Sequence, residues 1–245
     1  MWIVFRGLLS GALRDRISLF YALIFPAAAL AVLAYFFEDP GYRRHLLVGV
    51  TALGGFFFTM SGTGFEVMRQ RQRGVYKLLR ATPFPTGAFV SALTAARGLI
   101  ALVCALFVYV GGALFLGAGI APAGLLLMLP ALALGTVCFT ALGFILGNLG
   151  NTETQVAGIN NLFVLPMTCA SPVFYSLEGA PRWVQLLSEA MPLRHLVAAL
   201  QAAAAVDPVA MIRPLAILCG FTAAILLVAV ATFRWDPDAR LMRRA

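Results

Sequence analysis

Apolar runs of about 20 residues, separated by short polar stretches, recur along this 245-residue chain. A run of that length crosses a hydrocarbon core of about 30 Å as one helix. Six runs are expected to span: Leu19 to Phe37, Leu46 to Gly64, Phe89 to Leu116, Ala123 to Leu146, Val156 to Phe174 and Pro214 to Phe233. Only 11% of residues are charged and 61% are hydrophobic, whereas a soluble domain carries roughly 25% charged residues. A soluble globular fold is thereby excluded. The fold class that follows is an all-α polytopic membrane protein, one domain over residues 1–245 with no internal repeat.

Two further stretches are apolar but too short to cross. Residues 1–16, with Trp2, Phe5 and Arg6, are expected to lie in the interface as an amphipathic helix. Arg14, Asp15 and Arg16 follow the first apolar stretch instead of preceding it, so no cleavable signal is expected. Leu193 to Val206, only 14 residues long, sits in the region 175–213 that Pro181, Pro192 and Pro208 divide. That length suits a re-entrant helical region between spans 5 and 6.

The basic residues orient the chain. Arg6, Arg14 and Arg16, then Arg69, Arg71, Arg73, Lys77 and Arg80, then Arg234, Arg240, Arg243 and Arg244 fall on one side. The other side holds Arg43, Arg44, Arg182, Arg194 and Arg213. The richer side is cytoplasmic, so both termini are expected there. Membrane orientation accounts for the net charge of +8, and no nucleic-acid partner is expected.

Several chemistries lack their residues. The only lysine is Lys77, followed by Leu78, so no GxxxxGK[ST] phosphate loop exists. No cofactor is expected on this chain, and any ATP and Mg must sit on a partner. His45 and His195 are expected in outside loops and form no HExxH pair. Cys104, Cys138, Cys169 and Cys219 all fall in apolar runs, without ligand spacing, and are expected to be buried thiols. No enzyme is expected. Arg97 is nearly the only ionisable residue inside a span, which disfavours ion-coupled transport. It is expected to snorkel to the cytoplasmic edge, with Glu66 or Glu153 as alternative partners. Gly143 and Gly147 have the spacing of close helix packing, as do the pairs Gly54-Gly55 and Gly111-Gly112.

The most informative stretch is 66–85, EVMRQRQRGVYKLLRATPFP, between the second and third spans. From Val67 to Arg80 a helix is expected, with Val75, Leu78 and Leu79 on one face and Arg71, Lys77 and Arg80 pointing elsewhere. Thr82, Pro83 and Pro85 stop it. Here the chain resembles the ABC-2 family of ABC-transporter permeases, through Arg73-Gly74, Leu78-Leu79 and Ala81-Thr82-Pro83. A second match comprises Asn160-Asn161, Pro166, Ser171-Pro172-Val173-Phe174, Pro181-Arg182-Trp183 and Met191-Pro192-Leu193. Two positions depart from the family pattern: Val75 stands where Thr often follows the Gly, and Gln70 replaces a common acidic residue.

The resemblance implies a permease subunit of an ATP-driven exporter in a bacterial cytoplasmic (inner) membrane, moving amphipathic drug-like or lipid-like molecules outward. The implied partners are a cytoplasmic ABC ATPase dimer, a second permease copy or close paralogue, and membrane lipids. ATPase coupling is expected at Arg73, Gly74, Lys77, Leu78, Leu79, Arg80, Thr82 and Pro83. The substrate path is expected along the second and fifth spans at Thr51, Phe58, Thr59, Asn160, Asn161 and Thr168, the densest polar sites at membrane depth being the ones that prefer protein or a wet cavity. The alternatives are a non-transporting membrane scaffold or assembly factor, or a glycan-exporting permease.

Overall fold

In the computed structural model, residues 2–75, 86–177 and 179–232 are described. Helix α1 covers Trp2–Arg14. Asp15 then interrupts the chain and caps the next helix, accepting from the Ser18 backbone N at 3.3 Å and from Ser18 Oγ at 2.6 Å. Helix α2 runs Arg16–Phe36 and widens into a π turn at Phe20–Ile24. Pro26, just past that turn, has no N–H to offer the preceding turn.

Helix α3, Pro40–Gln72, is the longest continuous helix among the described residues, at 33 residues. Its start is encoded locally: Pro40 fills the first turn, where no donor is needed, and Asp39 accepts from the Tyr42 N at 2.6 Å. At 1.5 Å per residue its 33 residues reach about 50 Å. Its last turns, bearing Glu66, Arg69 and Arg71, therefore project beyond a hydrocarbon core of about 30 Å. It carries its own π turn at Phe57–Ser61.

Helices α4, Thr86–Phe115, and α5, Pro122–Leu149, follow. Helix α6 spans Glu153–Ala170, capped by Thr152 Oγ1, which accepts from Gln155 N at 3.2 Å. Two short helices, α7 (Arg182–Glu189) and α8 (Pro192–Ala204), precede α9, Pro208–Thr232. Every described regular element is helical.

Five of these helices are long and apolar enough to cross a membrane: α2, α3, the Ser91–Phe115 part of α4, α5 and the Pro208–Ala231 part of α9. They correspond to the expected first, second, third, fourth and sixth spans. Helix α6, at the place of the expected fifth span, starts at Glu153 and ends at Ala170 rather than Phe174. Glu153, Gln155, Asn160 and Asn161 dilute its apolar character, so it is not among the five.

Burial separates the helices by depth. Along α3, 83% of the spanning window is buried, against 17% for α9, so α3 is the central pillar and α9 an exposed flank. The main core joins Leu53, Phe56 and Met60 of α3, Leu132 and Phe139 of α5, Leu193, Leu196, Val197 and Leu200 of α8, and Leu218 of α9. Helix α8 is thus wedged among longer helices. His195, in α8 rather than in a loop, stacks on Phe221, and its Nε2 lies 2.9 Å from the Glu189 carbonyl. His45 is likewise helical, in α3. The expectation of four buried thiols needs correction: Cys104 and Cys138 are buried, but Cys169 and Cys219 are exposed on the flanking helices α6 and α9.

Candidate functional site

Four charged residues gather where α1 meets α2. Arg69 of α3 lies 3.2 Å from the Asp15 carboxylate and 3.5 Å from Glu66. Arg97 of α4 lies 3.6 Å from Asp15 with only 1% of its side chain exposed. The expected snorkelling is therefore corrected: Arg97 is buried in protein, where the Asp15 and Glu66 carboxylates both attract it and Asp15 lies at 3.6 Å.

The π turn in α3 provides the second Arg97 contact. Because that turn is widened, the Gly62 N–H bonds the Phe57 carbonyl instead of that of Phe58. The Phe58 carbonyl accepts from Arg97 Nη1 at 3.3 Å. The guanidinium also lies 5.4 Å from the Phe58 ring centre, close enough for a cation–π attraction. Gly62 makes room for this: a Cβ there would stand 2.7 Å from both Arg97 Nη1 and Ser18 Oγ. Burial alone raises the Asp15 carboxyl pKa, but the Ser18 hydrogen bonds and the Arg69 and Arg97 charges outweigh it and hold the group below its usual range.

Beside this cluster is a cavity of about 210 Å³, lined by Ser18 and Tyr21 of α2, Phe57, Ser61, Gly62 and Phe65 of α3, and Asn160 and Asn161 of α6. Asn160 is 7% exposed, and its Oδ1 has no hydrogen-bond partner, nor has Ser61 Oγ. A larger cleft of about 860 Å³ opens among α4, α5 and α9. Its walls are mainly Leu, Ala and Val, Thr136 already donates to the Ala133 carbonyl at 2.8 Å, and among the described residues none of its lining leaves a buried polar atom unpartnered. The smaller cavity is the better candidate, because buried unsatisfied polar groups are costly unless something satisfies them.

The expected path residues fall in different settings. Asn160 and Asn161 line the cavity. Thr51 Oγ1 donates to its own helix at the Leu47 carbonyl, 2.7 Å, and Thr59 Oγ1 to that of Gly55, 2.6 Å. Phe58 is fully buried beneath Arg97. Thr168 is partly buried, its Oγ1 unpartnered. Sequence reasoning passed over Asp15 and Ser18 as site residues, whereas Ser61 was among the polar positions of the second span. The available signal was Arg97 itself, a charge in an apolar run that requires a partner.

At the same end of the bundle, Arg71 caps α5. Its Nη1 donates to the Asn148 carbonyl at 2.9 Å, and its Nη2 donates to the Gly150 carbonyl and, at 3.1 Å, to Asn151 Oδ1. Gln72 adds a bond from Nε2 to the Asn151 carbonyl at 3.0 Å. The last carbonyls of a helix have no internal donors and carry negative partial charge, so Arg71 ties the end of α3 to the α5–α6 turn. The expected continuous helix from Val67 to Arg80 also needs correction. Helix α3 stops at Gln72, and Gly74 takes φ +71, a conformation glycine adopts without steric cost. Of the expected coupling residues, exposed Arg73 and half-buried Gly74 are described. Lys77, Leu78, Leu79, Arg80, Thr82 and Pro83 lie outside the described residues.

Comparison with known proteins gives a consistent result. Residues 1–204 match the ABC-2 type transporter family. The chain is also 22% identical over 192 residues to a Bacillus subtilis (strain 168) protein named "Putative transport permease YvfS", covering 75% of this chain and 76% of that one.

Proposed function

Because this chain belongs to the ABC-2 type transporter family and is a multi-pass membrane subunit of a transporter, we propose that it is the permease of an ATP-driven exporter. The family match over residues 1–204 carries this reading. The sequence supplies no phosphate loop, so the energy comes from a cytoplasmic ABC ATPase that docks on segment 66–85. In this reading Arg73, Gly74, Lys77, Leu78, Leu79, Arg80, Thr82 and Pro83 form the contact, and α3 carries the displacement into the bundle.

Helix α6 is the fifth of six spans, its 18 residues reaching about 27 Å. It exposes Asn161, Leu162 and Leu165, a face suited to a second copy of the permease across a central path. The cargo is an amphipathic drug-like or lipid-like molecule leaving the cytoplasm or inner leaflet of a bacterial inner membrane.

The test is co-expression with an ABC ATPase from the same genome, followed by copurification and ATP-dependent efflux from vesicles. Leu78→Asp and Leu79→Asp are expected to abolish copurification and efflux while membrane insertion survives, since an unpaired charge in a closed groove costs several kcal/mol, about 2–7 for even a neutral polar group. A chain that inserts, recruits no ATPase and moves nothing is a scaffold, and the exporter reading then fails.

A further inference from the structure

The geometry points to a ligand class for the cavity between α2, α3 and α6: a neutral head bearing hydroxyl or amide groups, carried on an apolar body. The space of about 210 Å³ is below the roughly 300–1,000 Å³ of a site that encloses a drug-sized molecule, so it takes one end of a ligand. Two buried groups there want partners. Asn160 has an unpartnered Oδ1 and Ser61 an unpartnered Oγ. An amide and a hydroxyl both donate and accept, and a hydroxyl or amide on the ligand answers both.

Charge selects against ionic heads. Among the described residues, no charged side chain lines the cavity. The cluster beside it, Asp15, Glu66, Arg69 and Arg97, holds two charges of each sign, connected by ion pairs at 3.2 to 3.6 Å. An entering anion or cation would be desolvated without gaining a counter-ion, whereas a neutral head loses far less. The rings of Tyr21 and Phe57, with centres 5.9 Å apart, provide an apolar wall for the body next to the head. This deepens the exporter reading by naming the class of cargo, but binding itself is independent of the ATPase.

The full chain in lipid nanodiscs, without ATPase, tests it. Asn161→Cys, with the exposed Cys169 and Cys219 replaced by Ala, is labelled with a water-soluble maleimide in the presence of octyl glucoside, octyl sulfate or octyltrimethylammonium, which share one chain length. Octyl glucoside is expected to slow labelling about tenfold, the difference one or two hydrogen bonds make, and the charged probes to have little effect. Asn160→Leu and Ser61→Ala, each checked for unchanged thermal stability, are expected to remove the protection. Equal protection by all three probes would mean chain partitioning only, and protection surviving both substitutions would place the ligand elsewhere. Rapid cross-linking of Asn161→Cys between copies, with no maleimide reaction, would mean that a second copy fills the cavity. Each of these outcomes overturns the proposal and leaves the exporter reading standing, whereas failed ATPase copurification would leave octyl glucoside protection untouched.

Discussion

Arg97 of α4 and Asp15, the residue between α1 and α2, stand 3.6 Å apart in a setting where only 1% of the Arg97 side chain and 9% of the Asp15 side chain are exposed. One pair thus ties three elements: the α1–α2 junction, α4 and, through the Phe58 carbonyl, the π turn of α3.

Breaking that pair from one side leaves a buried charge without its partner. Asp15→Asn or Arg97→Met alone is expected to destabilise the bundle by about 3–5 kcal/mol, and the double variant by less than either, since the uncompensated charge is then gone. Thermal unfolding in detergent measures this. The Asp15 pKa is lowered on folding from 3.8, so its stabilisation is complete above that value and is lost as pH falls through the lower folded value. Wild type and Asp15→Asn are therefore expected to differ at neutral pH and converge in acid below about pH 4.

Arg71 and Arg73 are expected to behave differently despite their proximity. Arg71→Gln removes charge-assisted bonds from the α5 carbonyls and is expected to cost about 1–3 kcal/mol. It also loosens the α5–α6 turn, which faster hydrogen exchange over residues 148–155 would register. Exposed Arg73→Gln is expected to cost no more than about 1 kcal/mol.

The glycines offer a controlled comparison. A Cβ on Gly143 would strike the Met60 carbonyl, and one on Gly147 would stand 2.5 Å from the Gly64 carbonyl. Gly143→Ala and Gly147→Ala are expected to force α5 from α3 at a cost of about 1–3 kcal/mol. Gly55 and Gly111 have open space around the same position, and alanine there is expected to be neutral or to stabilise by about 0.5–1 kcal/mol. Thermal melts of the four variants separate the two groups.

Topology provides the fourth prediction. If α6 crosses and α8 does not, as proposed, a reporter fused after Asp207 is expected to read as periplasmic, and one after Thr232 as cytoplasmic. A cytoplasmic signal after Asp207 would remove α6 from the set of spans or add α8 to it.

The sequence by itself determined the all-helical class and five of the spans, because span length and hydropathy are local properties. The starts of α3 and α6 were local too: Asp39-Pro40 and Thr152 cap helices with their own neighbours. Gly143 and Gly147 announced a close approach by their spacing, although the partners, Met60 and Gly64 of α3, could not be read from it. Helix α6 was harder, since Glu153 and Gln155, together with the cavity-lining Asn160 and Asn161, lower its hydropathy. What only the tertiary structure decided was which distant groups meet. Arg97 meets Asp15 at 3.6 Å as well as feeling the attraction of Glu66, and Arg71 turns to the end of α5 instead of outward. Periodicity fixes the face of a helix on which a side chain lies, but the partner of a buried charge depends on how separate helices cross, and here two π turns and Gly62 set that crossing.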